Sequence, residues 1–306
     1  ARADATDQPA APEAAPRNPT LKKRRLTESI PQEVEAPWSA SAPVKVLFLE
    51  IFAGEAVLSH DAARAGIAVW PPEDLATGGL DLLSNKGVLH AQKLIRRLAR
   101  RCRLLVVHLA PPCSTFTLAR NWSTRTRLRS AEHLQGLPGL GEAEADRVSQ
   151  ANCLAVRALT LAELTAELHG VATMENPRSS YLWEFLKEYE QKDFHDVVLD
   201  QCMFGTAWKK PTRWRCWGCT APELDKQCFK SVNGLTCGQK KHHVLEFGGA
   251  STSSAAAYPE GLAKQFVKFL HRIQSERATL KEALASAGLV DEGRVQRHHL
   301  CFGQRR

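Results

Sequence analysis

The chain has 306 residues, 43% hydrophobic and 24% charged, with 41 Lys and Arg against 33 Asp and Glu for a formal charge of +8. That composition can bury a core across one large domain or two small ones and excludes wholesale disorder. No run approaches the roughly 18 to 20 apolar residues of a membrane span, no signal peptide is evident, and nine cysteines are an odd number for a disulfide framework, so an intracellular protein with reduced thiols and no membrane partner is expected.

Residues 1–43 are rich in Ala, Pro, Glu, Thr and Ser, lack aliphatic periodicity and read as a disordered leader. The run Lys22-Lys23-Arg24-Arg25 reads equally as a nuclear-localisation or nucleic-acid patch and as a solvated basic tail. A start at Ala1 and a count of two methionines suggest a fragment, a processed product or an incomplete gene model.

The texture changes at Val44. Residues 46–52 are an apolar run broken only by Glu50 and closed by Ala53 and Gly54, the profile of a strand buried on both faces. The pattern then predicts a helix over 56–65, a strand over 67–70, and a helix over 87–103 with Val88, Leu94, Ile95, Leu98 and Cys102 inward. A buried strand follows over 104–109, then a loop or mobile insertion over 120–150 and a helix over 152–168. Short strands over 171–174 and 197–199 flank a helix over 181–189. This alternation predicts an α/β fold, doubly wound and Rossmann-like, with a mostly parallel sheet and ligands at the carboxyl ends of its strands. The expected organisation is a catalytic domain over 44–204, a small Cys-rich recognition insertion over 205–250, a closing helix within 251–275 and a C-terminal helix or tail over 276–306.

Three strand ends carry the candidate chemistry. The Gly-bearing turn Phe52-Ala53-Gly54-Glu55-Ala56 opens a helix and suits either a cofactor or tight packing. The segment Pro111-Pro112-Cys113-Ser114-Thr115-Phe116 places a thiol on a proline-stiffened loop directly after a buried strand. Arg120, Arg125, Arg127 and Arg129 follow, a field expected to favour the thiolate. The segment Thr173-Met174-Glu175-Asn176-Pro177 sets a carboxylate at the same edge. By itself Glu175 reads as a helix cap; paired with Cys113 it makes a nucleophile-and-acid constellation.

Over about residues 44–273 the chain resembles the DNA cytosine-5 methyltransferases, a branch of the class I S-adenosylmethionine-dependent methyltransferases. The resemblance rests on Phe-Ala-Gly (52–54), Pro-Pro-Cys-Ser-Thr-Phe (111–116) and Glu-Asn-Pro (175–177), in that order. Glu-Asn-Pro-Arg-Ser-Ser-Tyr-Leu-Trp, Gln-Cys-Met-Phe-Gly and Ala-Ala-Tyr-Pro look like a divergent branch found in phages and mobile elements.

The resemblance implies methylation of carbon 5 of cytosine in DNA, with Cys113 attacking carbon 6 and Glu175 as the acid near N3. Phe52, Gly54, Glu55 and Pro111 would cradle S-adenosylmethionine, Glu73 or Asp74 would hold its ribose, and Asp81 its adenine. Arg213 and Arg215, in the nearest equivalent of the family's Gln-x-Arg-x-Arg motif, would help to hold the base. Ala56 stands for the usual second Gly and Glu50 for the usual Asp, and the terminal Gly-Asn-Ser/Ala motif is missing. RNA remains open as the substrate. A non-catalytic nucleic-acid-binding module of a mobile-element polyprotein is the alternative from another class.

The expected protein is a monomer, nuclear if eukaryotic. Arg120, Arg125, Arg127, Arg129, Lys209 and Lys210 are the candidate nucleic-acid contacts. Residues 93–129 contain ten Lys and Arg and no acid, and residues 205–243 eight against two; both segments are expected to flank the cleft. Trp208, Trp214 and Trp217 read as base-stacking or core residues. Cys216, Cys219, Cys228, Cys237 and either His242 or His243, of which His243 is preferred, hold enough ligands for one structural zinc; free cysteines are the other reading. His195, His298, His299 and Cys301 receive no role.

Overall fold

The computed structural model describes residues 44–232, 234–244 and 255–286; the leader with Lys22 to Arg25, and His298, His299 and Cys301, lie outside the described residues. Six strands, β1 (Val44–Ile51), β2 (Ala68–Val69), β3 (Cys102–Leu109), β4 (Val171–Pro177), β5 (His195–Asp200) and β6 (Pro211–Trp217), form one sheet. Its order is β2-β1-β3-β4-β6-β5. The pairs β1 with β2, β1 with β3 and β3 with β4 are parallel, whereas β6 runs antiparallel to both β4 and β5. The helices are α1 (Val57–Arg64), α2 (Asn85–Ala99), α3 (Glu142–Glu167), α4 (Leu182–Leu186) and α5 (Glu260–Ser286). A separate hairpin pairs β7 (Lys230–Ser231) with β8 (Gly234–Leu235). This is the expected Rossmann-like, doubly wound α/β fold.

Alternation along each strand sorts the core into two layers. Leu47, Leu49, Ile51, Leu105, Val107, Leu109, Ala172 and Met174 face α2, α3 and α4. Val46, Phe48, Leu104, Val106, Val171 and Trp214 face α1 and α5. The chain winds from β1 to β2 on one side and from β3 to β4 on the other. Strand order therefore reverses between β1 and β3, which opens a crevice outside their carboxyl ends.

The helices form for local reasons. Ser84 caps α2 by accepting from the Gly87 amide at 2.9 Å, and Arg96 and Arg97 sit in its last turn, where the helix dipole favours cations. Gly87 is required, because an added Cβ would lie 1.9 Å from the Asp81 carbonyl. In α3 a stripe of Val148, Ala151, Ala155, Ala158 and Ala162 lets the helix approach the sheet closely.

Four differences from the sequence reading bear on the site. Cys102 begins β3 rather than ending a helix, because α2 stops at Ala99; its thiol still donates to the Leu98 carbonyl at 3.1 Å. Residues 211–217, within the segment expected to be a recognition insertion, are the strand β6 of the main sheet, held by pairing on both edges. The helix α3 starts ten residues before the expected 152, and α5 runs past 273 to Ser286. The cations at 96–103 lie at the amino end of β3, roughly 25 Å from its carboxyl end at about 3.3 Å per residue, so this part of the basic segment does not border the crevice. Among the described residues no helix is long and apolar enough to cross a membrane.

Candidate active site

The crevice begins at the turn after β1. Phe52, Gly54 and Ala56 all have positive φ, at 61°, 53° and 50°. For Phe52 and Ala56 this left-handed backbone is strained, and it persists because neighbours hold it. The Phe52 amide donates to the Glu73 carbonyl at 2.9 Å, and the Gly54 amide to Asp74 Oδ2 at 2.9 Å. Ala56 thus occupies, at a steric cost, a conformation that a glycine adopts freely.

A cavity of about 290 Å³ opens beside this turn, lined in part by Phe52, Asp74, Leu80, Asp81, Ala110 and Pro112. Asp74 and Asp81 therefore stand where a polar ligand group can be met. Glu73 does not line the cavity; its Oε2 accepts from the Leu80 amide at 3.2 Å. Glu55 is exposed. Pro111 is buried and Pro112 takes its expected place on the wall.

The loop after β3 is tied on both sides. The Ala110 amide donates to the Ile51 carbonyl at 3.2 Å, and Asn176 Nδ2 donates to the Pro111 carbonyl at 2.9 Å. The Cys113 carbonyl accepts from the amides of Phe116 and Thr117 at 3.0 and 2.9 Å. Cys113 is thereby fixed beside Glu175. Burial, and then the Glu175 charge, push the thiol above its ordinary value, while the Lys210 ammonium pulls it down.

The arginines expected to favour the thiolate mostly hold the loop instead. Arg129 is 1% exposed. It donates to the Thr115 carbonyl and hydroxyl, the Leu134 carbonyl and Asn152, and lies 3.7 Å over the Phe116 ring. Arg120 donates to the Ser114 carbonyl at 2.6 Å and the Thr126 carbonyl at 3.2 Å, and Arg127 to the Arg129 carbonyl at 3.1 Å. Arg125 is exposed, and so is Trp122 on the same loop, at 92%. The sequence reading gave Trp122 no role, although a tryptophan so open to solvent is a surface on which a base can stack.

Glu175 is buried on β4, and desolvation raises its carboxyl above the ordinary range against the opposing pull of Lys210 and Tyr258. The Tyr258 hydroxyl donates to Glu175 Oε2 at 3.3 Å. It must then accept from His108 Nε2, 2.9 Å away, which leaves His108 Nδ1 to accept from Thr173 Oγ1 at 2.8 Å. Burial lowers His108 to about 3, so the ring is neutral and carries the single proton that this chain of bonds needs. The imidazole is stacked on Trp214, 4.5 Å between centroids. Oε1 of Glu175 and Oδ1 of Asn176 are buried and have no partner among the described residues. The proton of a neutral Glu175 accordingly falls on Oε1, free for a ligand.

His108, Thr173, Asn176 and Tyr258 were missed as site residues. A histidine inside an otherwise apolar strand was the available signal for His108, and the Ala-Ala-Tyr-Pro segment for Tyr258. Glu50 was missed as well: it is 1% exposed, accepts from the Ser59 amide and hydroxyl at 3.0 and 2.6 Å, and is raised to about 7 by burial.

Arg213 and Arg215 do not face this site. Along β6, Trp214 pairs with Glu175, so the arginines on either side point to the opposite face. Arg215 is 3% exposed, binds Asp196 through two bonds of 2.8 and 2.9 Å, pairs with Glu190, and lies 3.6 Å over Phe194. Arg213 reaches Asp196 at 3.5 Å. Lys210, whose Nζ donates to the Ala255 carbonyl at 2.8 Å, is instead the cation whose charge acts on both Cys113 and Glu175. Lys209 turns away to the Cys228 carbonyl at 3.0 Å. Trp214 and Trp217 are fully buried and belong to the core.

The expected metal set is divided. Cys228 and Cys237 meet Cys202 and His242, with their ligand atoms all within 4.8 Å of one another. Cys216 is buried on β6 with its free thiol beside the free thiol of Cys219. Neither joins that group, nor does His243, whose amide donates to the Ala207 carbonyl at 2.8 Å.

No protein-family model and no curated protein matches the sequence. Among solved structures, a candidate DNA modification methyltransferase encoded within an E. coli prophage aligns over 56% of this chain at 14% identity and a TM-score of 0.32. The alignment spans 46% of that chain, less than half of its length.

Proposed function

We propose that the protein is an S-adenosylmethionine-dependent methyltransferase that methylates carbon 5 of cytosine in DNA. The observation that carries this reading is the pairing, at the carboxyl edge of the sheet, of the Cys113 thiol with a buried Glu175 carboxyl whose Oε1 has no partner among the described residues. The cavity lined by Phe52, Asp74 and Asp81 supports a cofactor site next to that pair, with an apolar wall for an adenine and two carboxylates for hydroxyl or amino groups. Bound there, S-adenosylmethionine supplies an electrophilic methyl group.

Carbon 5 of cytosine is a weak nucleophile. Addition of the Cys113 sulfur to carbon 6 makes it an enamine carbon able to take a methyl group. As the bond to sulfur forms, electron density moves toward N3, where the Glu175 proton on Oε1 meets it. Protonation of Glu175 also removes the anion that holds Cys113 as a thiol, so the acid and the nucleophile become competent together, with Lys210 favouring the thiolate. Once carbon 5 carries the methyl group, loss of its proton to solvent, departure of the Cys113 thiolate and return of the N3 proton to Glu175 restore the aromatic ring and the acid. The base must leave the duplex stack, at a cost of a few kcal/mol, and the exposed Trp122 and Arg125 beside the nucleophile loop are suited to hold the opened strand.

A duplex containing 5-fluorocytosine tests this, since fluorine at carbon 5 blocks the final elimination. Incubation with S-adenosylmethionine is expected to give a covalent protein–DNA adduct that Cys113→Ser abolishes and Cys153→Ser retains. DNA binding without an adduct would instead fit the non-catalytic module, and an adduct only with an RNA substrate would move the activity to that polymer.

A further inference from the structure

Three thiols and an imidazole from separate stretches of chain converge away from Cys113 and Glu175. Cys202 lies in the short turn of helix over Gln201–Phe204, Cys228 precedes β7, Cys237 follows β8, and His242 comes five residues later. One ligand atom of each lies within 4.8 Å of the other three. His242 Nε2 is 3.7 Å from Cys228 Sγ and 3.4 Å from Cys237 Sγ. Tetrahedral zinc, with bonds of about 2.3 Å to sulfur and about 2.0 to 2.1 Å to nitrogen, separates those two kinds of ligand by about 3.6 Å. The two observed separations bracket that value. A single ring proton cannot serve two sulfurs well, whereas one cation between them serves all four groups.

The surrounding segment has little else to hold it. The strands β7 and β8 are two residues each, and Phe229, just before β7, and Val232, in the turn between the two strands, are 60% and 104% exposed. A hairpin of that length has no independent stability, and small units without a core are commonly organised by a metal. We propose that Cys202, Cys228, Cys237 and His242 form a closed structural Zn²⁺ site.

The site has a consequence for the crevice. The Cys228 amide donates to Asp200 Oδ2 at 2.7 Å and its carbonyl accepts from Lys209 at 3.0 Å, while the Gln239 side chain donates to the Thr206 carbonyl. The ion therefore anchors residues 206–210, the stretch that carries Lys210 toward Cys113 and Glu175. The metal assignment does not depend on the methyltransferase reading, and its test reads the metal rather than the activity.

The full chain, purified from zinc-supplemented medium without chelator, is expected to hold one zinc per molecule. Exchange for Co²⁺ is expected to give thiolate-to-cobalt charge-transfer bands and the intense d–d bands of tetrahedral cobalt. Cys237→Ser and His242→Ala are expected to lose the ion, and Cys216→Ser and Cys219→Ser to keep it. Chelation is expected to cut hydrogen-exchange protection over 225–243 roughly tenfold or more while amides of β1 and β3 keep theirs. A wild-type protein without stoichiometric zinc whose cobalt spectrum is octahedral overturns the proposal. So does retention of the ion by Cys237→Ser and His242→Ala, or its loss on Cys216→Ser from a protein whose β1 and β3 amides stay protected.

Discussion

The two faces of the sheet each bury a polar cluster, and the clusters differ in how completely their charges are paired. On the face against α4, Arg215 spends its guanidinium on Asp196, Glu190 and the Phe194 ring, so its charge and both facing carboxylates are paired. On the face against α5, Glu175 takes one bond from Tyr258 and, among the described residues, finds no partner for Oε1. Burying an acceptor without a partner costs free energy that a purely structural cluster has no reason to bear. The paired cluster fixes the antiparallel β5 and β6 onto the sheet, whereas the unpaired one is prepared for a ligand that is itself a hydrogen-bonding group.

The sharpest way to break this contrast is to remove one member of each cluster. Glu175→Gln is expected to lower adduct formation or turnover by roughly 10²- to 10⁴-fold, the usual worth of a general acid, with the melting temperature unchanged or higher. Arg215→Met removes the buried guanidinium from the partly exposed Asp196 and Glu190 and is expected to cost about 2 to 3 kcal/mol of stability, with the activity of the molecules that remain folded preserved. Unfolding curves and adduct yields on both variants decide it. Loss of activity without loss of stability in Arg215→Met would return the arginine to catalysis.

The next effect in size concerns Glu50, on the same face as Glu175. Its pKa in the folded protein is about 7 against an ordinary 4.5, because burial opposes its charge. The fold therefore prefers the neutral carboxyl. The stability this contributes is complete below pH 4.5 and is lost as the pH rises to about 7, an effect on the order of 3 kcal/mol. Glu50→Gln cannot ionise and can still accept from Ser59, so its advantage over the wild type in denaturant unfolding should grow from pH 5 to pH 8. A difference that does not change with pH would show that Glu50 is solvated in the folded protein.

What the sequence made legible follows the same division. Apolar runs ending in Gly54, Cys113 and Glu175 were visible because parallel strands buried on both faces read as near-continuous hydrophobic stretches. The strand β6 was not, since Pro-Thr-Arg-Trp-Arg-Cys-Trp mixes cations with aromatics and its arginines are buried only by partners 17 to 25 positions away, Asp196 and Glu190. The relay through Thr173, His108 and Tyr258 was hidden for a related reason: it joins residues 65 and 150 positions apart, which nothing local in the chain connects. Likewise, cysteine spacing pointed to Cys216 and Cys219, whereas three-dimensional proximity selects Cys202 and His242. Lys210 was legible as a cation but not as the one that faces the nucleophile.

The smallest effect tests that last point. Lys210 lowers the Cys113 thiol and Glu175, when ionised, raises it, so the two substitutions must move the thiol in opposite directions. At alkaline pH, where Glu175 carries its charge, Glu175→Gln removes an anion from beside the sulfur and should speed alkylation of Cys113 by iodoacetamide roughly severalfold. Lys210→Met removes a cation and should slow it by a similar factor. Alkylation followed at the Cys113 peptide reads the thiolate directly and needs neither cofactor nor DNA. At acid pH, where Glu175 is already neutral, the Gln variant should react at the wild-type rate while the Met variant stays slow. If both variants move the rate in the same direction, the charges reach Cys113 only through a change in the loop's shape, and the unpaired cluster would not be the electrostatically coupled pair that the contrast with Arg215 requires.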